Sequence, residues 1–209
     1  MRDLVKKIEK LKKTEVGRLI SCRIEEFEKF LREKNKDKIF SELCFCLLTA
    51  NWQAEKAIKL QRELNIDFLK ASQKKLAKKL KSGGHRFWPQ RAKSIVLARK
   101  NKEEISNLIS SGKNSRPIRF WLVKNVHGLG MKESSHFLRN IGFKDLAIID
   151  FHILDLLVAN NLIERPRSLS VKNYLNIEDK LNNMGRTVSL SLAELDLYLW
   201  FIETGKILK

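Results

Sequence analysis

Apolar residues recur along this chain every three or four positions, and that period dictates helices. Leu4, Ile8 and Leu11 form one stripe; Leu19, Ile20, Ile24, Phe27 and Leu31 form a second; Leu190, Ala193, Leu197, Leu199 and Trp200 form a third. Sustained alternation of period two with β-branched residues, the mark of a half-buried strand, is missing. The only prolines are Pro89, Pro117 and Pro166, and breaks gather at Gly83-Gly84, Gly112–Pro117, Gly128–Gly130, Gly142 and Arg165–Ser170. The predicted fold class is all-α. A chain of 209 residues fits one domain or two small lobes and buries about two-thirds or more of its unfolded surface, without a metal or disulfide staple.

Charge narrows the partner. With 42 Lys plus Arg against 24 Asp plus Glu, the formal net charge is +18, which points to a polyanion: nucleic acid first, an anionic membrane second. The longest apolar runs, such as Leu43–Ala50, fall well short of the roughly 20 residues that span a bilayer, and the opening MRDLVKK lacks a signal-peptide core. A soluble, cytoplasmic monomer is expected. Cys22, Cys44 and Cys46 make neither an even disulfide set nor a CxxC pair and read as buried small hydrophobes. The histidines give no two-His pair at helical spacing, so neither a catalytic metal nor a cofactor is predicted. Basic residues occur in every helix, and most should simply solvate outer faces.

The segment HGLGMKESSHFLRNIG, residues 127–142, reads differently. Arg119–Val126 has a helical pattern, His127–Gly130 a turn, and Met131–Ile141 a second helix with Met131, Ser134, Ser135, Leu138 and Ile141 on one face. Gly142 stands where a left-handed cap belongs. Such a helix-hairpin-helix (about 118–142) offers glycines, Gly128 and Gly130, that let a partner approach the backbone, and free N–H groups that bind an anion such as a DNA phosphate. An ordinary tight turn between helices would also use two glycines.

Lys132 sits in the first turn of the second helix, where the positive end of the dipole disfavours an ammonium and lowers its pKa. A neutral amine is a nucleophile, and a lysine near the free-chain value of about 10.4 has almost none at pH 7. The plainer alternative is a lysine that only neutralises phosphate. Eighteen residues on, in LAIIDFHIL, Leu146–Ile149 is too short for a helix and Asp150 stands at an N-cap, with Ile153, Leu154, Leu157 and Val158 inward in the helix Phe151–Asn160. A helix of this length carries the chain about 16 Å away, and a short extended return can bring it back. Asp150 could then face Lys132, accept a proton and offset an oxocarbenium-like sugar.

GLGMKESSHFLRNIG followed by AIIDFHIL resembles the helix-hairpin-helix superfamily of DNA glycosylases with their Gly/Pro/Asp element, in which the lysine marks the bifunctional glycosylase/lyases. CFCLLTANW (44–52), GHRFWPQRAKSIVLAR (84–99) and ELDLYLWFIETGKILK (194–209) are similar to the second, largely archaeal family of 8-oxoguanine DNA glycosylase/AP lyases. The resemblance implies a two-lobed helical fold acting on double-stranded DNA that contains 8-oxoguanine or abasic sites. It implies Lys132 as the group that displaces the base at C1′ and forms a Schiff base before β-elimination, assisted by Asp150. It implies Trp200 as a stacking partner of the flipped base, and Lys209, in a chain end that reaches the active site, as an aid in telling 8-oxoguanine from guanine. The apolar Ile207-Leu208 pair argues independently that this end docks.

Flipping a nucleotide costs a few kcal/mol, so a wedge is needed. Phe87 or Asn51 would suit, and His85, Arg86 and Arg91 are candidate phosphate contacts; a core aromatic and a solvated basic face are the plainer readings. The sequence departs from many relatives in one place, Phe151, where they carry a basic residue. Two rivals remain: a non-catalytic helix-hairpin-helix DNA-binding module, in which Lys132 is only a charge and Asp150 only a cap, and a glycosylase for a different oxidised base.

Overall fold

A computed structural model describes residues 2–112 and 114–209. Among the described residues it contains twelve α-helices and one 3-10 turn: α1 (Arg2–Lys12), α2 (Glu15–Glu33), α3 (Lys36–Thr49), α4 (Ala54–Lys70), α5 (Gln73–Ser82), α6 (Trp88–Ala98), the 3-10 turn Arg99–Asn101, α7 (Lys102–Ser110), α8 (Ser115–Asn125), α9 (Met131–Asn140), α10 (Phe151–Ala159), α11 (Val171–Thr187) and α12 (Leu192–Thr204). The helices start where short polar side chains can satisfy their free N–H groups. Thr14, Asn35, Ser72, Asp150, Ser170 and Ser191 each accept a hydrogen bond from the first turn that follows. Ser191 and Glu194 form a reciprocal capping box.

Two apolar clusters define two lobes. One is built on α3 to α9; the other joins α1 and α2 to α10, α11 and α12, so the chain begins in the second lobe, builds the first, and returns. α3 is buried on every side from Ile39 to Thr49, as a helix through the middle of a core must be. Helix α9 lies between the lobes: Phe137, Leu138 and Ile141 belong to the first cluster while Met131 packs on the second. The expected stripes hold in α1 and α2, save that Leu19 faces solvent. In α10 the inward residues are Ile153, Leu156 and Leu157, shifted slightly from the expected set. Cys44 and Cys46 are buried, but Cys22 is exposed; the outer face of α2 carries it.

A buried ion pair fixes the junction. Arg119 in α8 and Glu178 in α11, both with 0% exposure, form a two-pronged bridge at 2.5 and 2.9 Å. Arg119 also donates to Ser135 Oγ at 3.2 Å, and Glu178 accepts from the Ala147 N–H at 3.0 Å. Tyr174 donates to the Ala147 carbonyl at 2.7 Å and accepts from the Ile149 N–H at 3.2 Å. These bonds satisfy the non-helical stretch 146–149, which would otherwise bury unpaired backbone groups. They also aim the chain at Asp150.

Candidate active site

A cavity of about 820 Å³ opens between the lobes. Asn51, Trp52, Glu55 and Arg86 line it from one side; Asp150, Phe151, His152, Asp196 and Trp200 line it from the other; Lys132, Glu133, His136 and Arg139 of α9 and, near the end of the chain, Lys206, Leu208 and Lys209 complete it. Lys132 and Asp150, far apart along the chain, therefore share one space.

Lys132 is the second residue of α9, whose N-cap is Gly130 and which has no side-chain cap. The first-turn N–H groups lack intrahelical acceptors and keep their positive field at the cavity. Its ammonium lies 3.8 Å from Glu133, a carboxylate that sequence reasoning did not single out. Asp150 does cap its helix, accepting from the Ile153 N–H at 2.9 Å. One oxygen in that bond leaves the carboxylate with further acceptor capacity.

α12 contributes a second acid. Asp196, one helical turn before Trp200, is buried and paired with Arg139 at 2.7 Å. Burial raises its pKa to about 6, with Arg139 opposing the shift and the nearby Asp150 charge adding to it. His136 is held well below the ordinary histidine range by burial and by the Arg139 and Lys132 charges, so it is neutral at pH 7. Its Nδ1 and the Trp200 Nε1 are buried with no hydrogen-bond partner among the described residues, and both residues line the cavity. Buried polar atoms of this kind are stabilised when a ligand meets them.

The end of the chain docks as expected. Lys209 donates to Glu42 at 2.8 Å and to Gln61 at 2.5 Å and lies 4.5 Å from the centre of the Phe45 ring. Glu42 also accepts from Gln61 at 3.0 Å and Asn140 at 2.7 Å, so the socket is built from α3, α4 and α9. Lys206 adds an ion pair to Glu55 at 2.5 Å. Two side chains of the tail thus reach across to the first lobe.

Several expected DNA contacts are otherwise engaged. His85 is 1% exposed; its Nε2 donates to the Leu48 carbonyl at 3.0 Å, its Nδ1 accepts from the Phe87 N–H at 3.1 Å, and its ring stacks on Trp52 at 4.1 Å. A ring so occupied anchors the loop and has no nitrogen for a phosphate. Arg91 is half-buried and donates to the Ala50 carbonyl at 2.8 Å, fixing the same loop. Arg86 is exposed at the cavity and keeps its expected availability. Asn51 adopts φ 59° at the rim, a conformation that asparagine tolerates. Phe87 lies half-buried outside the cavity lining, with the Arg86 guanidinium 5.1 Å from its ring. In the hairpin, Gly128 (φ +93°) points the place of a Cβ inward, 2.8 Å from Ser94 Oγ, whereas at Gly130 it would meet only Glu133. The direction of Gly128's missing side chain thus serves close packing against α6, while its backbone lies exposed at the surface and that of Gly130 partly so.

The structure thus combines a helical hairpin with an uncapped second helix, a lysine in its first turn and an aspartate returned to the same interlobe cavity. The sequence model of 8-oxoguanine DNA glycosylases matches residues 20–190. The chain belongs to that family. It is 49% identical over 207 residues, 99% of each chain, to the 8-oxoguanine DNA glycosylase/AP lyase of Methanocaldococcus jannaschii, and 40% identical over 208 residues, again 99% of each, to that of Thermotoga maritima. The crystal structure of the Methanocaldococcus enzyme bound to 15mer DNA containing 8-oxoguanine superposes with a TM-score of 0.95 over 99% of both chains. That of the Thermotoga enzyme gives 0.94, covering 100% of this chain and 99% of its own.

Proposed function

We propose that this protein excises 8-oxoguanine from double-stranded DNA and then cleaves the strand at the resulting abasic site, acting as a cytoplasmic monomer on the chromosome. The observation that carries the reading is the meeting of Lys132 and Asp150 in one cavity large enough for a base and its sugar. The Lys132 amine attacks C1′; the glycosidic C1′–N9 bond breaks, and the base leaves with a proton. Ring opening gives an imine between Lys132 and C1′. Loss of a C2′ proton then expels the 3′ phosphate by β-elimination. Asp150 offsets the positive charge that develops on the sugar, in the place where a fixed carboxylate acts most strongly. Glu133, beside the Lys132 ammonium, can take up its proton before attack.

Trp200 supplies a stacking face for the flipped base, worth roughly 1–3 kcal/mol. The anchored tail closes the pocket around it. Arg86 and the α9 N-terminus hold phosphates, and Asn51 or Phe87 fills the vacated stack. Borohydride trapping on duplexes carrying 8-oxoguanine or an abasic site tests the scheme. The native protein should give a covalent adduct and Lys132→Gln none, while Lys132→Gln still binds the duplex. An adduct that persists in Lys132→Gln would overturn the assignment, and no adduct with the native protein would leave a non-catalytic DNA-binding module.

A further inference from the structure

Among the described residues, six large apolar side chains are substantially exposed: Leu19, Ile66, Phe120, Phe151, Leu169 and Val171. Of these, Phe151 alone lines the cavity, and with Ile66 it is among the two most exposed, at 62%. An aromatic ring left in water at the mouth of a cationic cleft loses the free energy that burial would return, unless something flat covers it in the working complex. The ring is not isolated. It lies 4.1 Å, centre to centre, from His152, tilted by 37°, and His152 meets Trp200 edge-on at 5.0 Å. Trp200, His152 and Phe151 thus form one aromatic ledge running from the depth of the cavity to its rim.

We propose that Phe151 is a nucleobase-stacking site: it covers the face of the base that flanks the flipped nucleotide in the same strand. The inference rests on the reading of Asp150 as the group beside the lesion's sugar. Consecutive Cα atoms are 3.8 Å apart, so the exposed ring that follows Asp150 at the cavity mouth stands within a nucleotide's reach of the lesion's sugar. Extrusion of one nucleotide uncovers the faces of its neighbours, and apolar side chains take such faces in proteins that unstack DNA. Of the cations lining the cavity, Lys206 is paired with Glu55 and Lys132 lies beside Glu133, which leaves Arg86 to meet the backbone, while an uncharged ring at position 151 selects a base face over a phosphate. Phe151 would accordingly contribute contact without a counterion-release term.

A cycle between side chain and base tests this. Binding of the native protein and Phe151→Ala is measured on a duplex with one tetrahydrofuran abasic analogue, and on duplexes in which the 5′ or the 3′ neighbour in that strand is abasic as well. Phe151→Ala should weaken binding roughly tenfold on the single-analogue duplex, within the range for a base stacked on an aromatic ring, and not at all when the correct neighbour is missing. The slope of log K against log salt should be unchanged in Phe151→Ala and steeper by about 0.9 in Phe151→Arg. Equal losses on every duplex, or no loss on any, would overturn the proposal. Borohydride trapping at saturating protein reads the Lys132 and Asp150 assignment separately, and Phe151→Ala should keep its adduct.

Discussion

Asp150 has two duties that a pair of substitutions can separate. Asparagine caps a helix about as well as aspartate, so Asp150→Asn should leave the thermal midpoint nearly unchanged while slowing borohydride-trappable adduct formation by at least tenfold. Asp150→Ala should also destabilise the fold by about 1 kcal/mol. Asp196 makes a claim about pH. Its folded pKa, about 6, exceeds the ordinary 3.8, so between these values the folded state binds more proton than the unfolded one, and stability from this group falls as pH rises through that window. The difference is on the order of 3 kcal/mol. Thermal melts from pH 4 to 6.5 should show that decline, and Asp196→Asn should flatten it. Lys132 and Asp150 were legible because glycine and N-cap chemistry are local signals. His85, Arg91, Glu133 and Asp196 were not: whether a polar side chain meets a carbonyl, a phosphate or another charge is decided by chain that lies distant in sequence, as when His85 finds Leu48.

Helices declare themselves by period, and here the stripes of α1, α2 and α12 carried most of the fold class. The elements that escaped the pattern did so for physical reasons. α3 is apolar on all sides because it is surrounded, so it shows no stripe; α8 starts at Ser115, ahead of its apolar residues, since Pro117 is harmless in a first turn. Breaks at Thr14, Asn35, Ser72 and Ser191 carry no proline or paired glycine and were marked only by their caps. The hairpin glycines give a prediction at this scale. Gly128→Ala must place a methyl against Ser94 at φ +93° and should lose about 1–3 kcal/mol in urea denaturation. Gly130→Ala lacks that clash; it should stay close to native stability and lose DNA affinity, which binding at fixed salt would detect.

At the scale of the molecule, the cavity exists because two separately packed lobes are held at a fixed spacing. The Arg119–Glu178 bridge ties α8 to α11 across the lobes, and the Lys209 socket ties the tail to α3 and α4. Lys209→Met leaves Glu42 buried with only Gln61 and Asn140 for partners. Removing one member of a buried pair costs about 3–5 kcal/mol, so a clear drop in thermal midpoint is expected, together with weaker discrimination against plain guanine in excision assays. Intact discrimination would confine Lys209 to support. The sequence signalled that the tail docks, through Ile207 and Leu208, but gave no hint of the socket, whose acid lies 167 positions away.

That separation has a consequence for the protein while it is being made. A ribosome-bound chain that has emerged as far as α11 already carries the hairpin, Lys132 and Asp150, yet it lacks Asp196, Trp200 and everything that seals the tail to the first lobe. The amine of such a nascent chain sits in an open trough with no place to seat a base. A seat for the base therefore waits on the packing of α12 and of Lys206 and Lys209 against the first lobe.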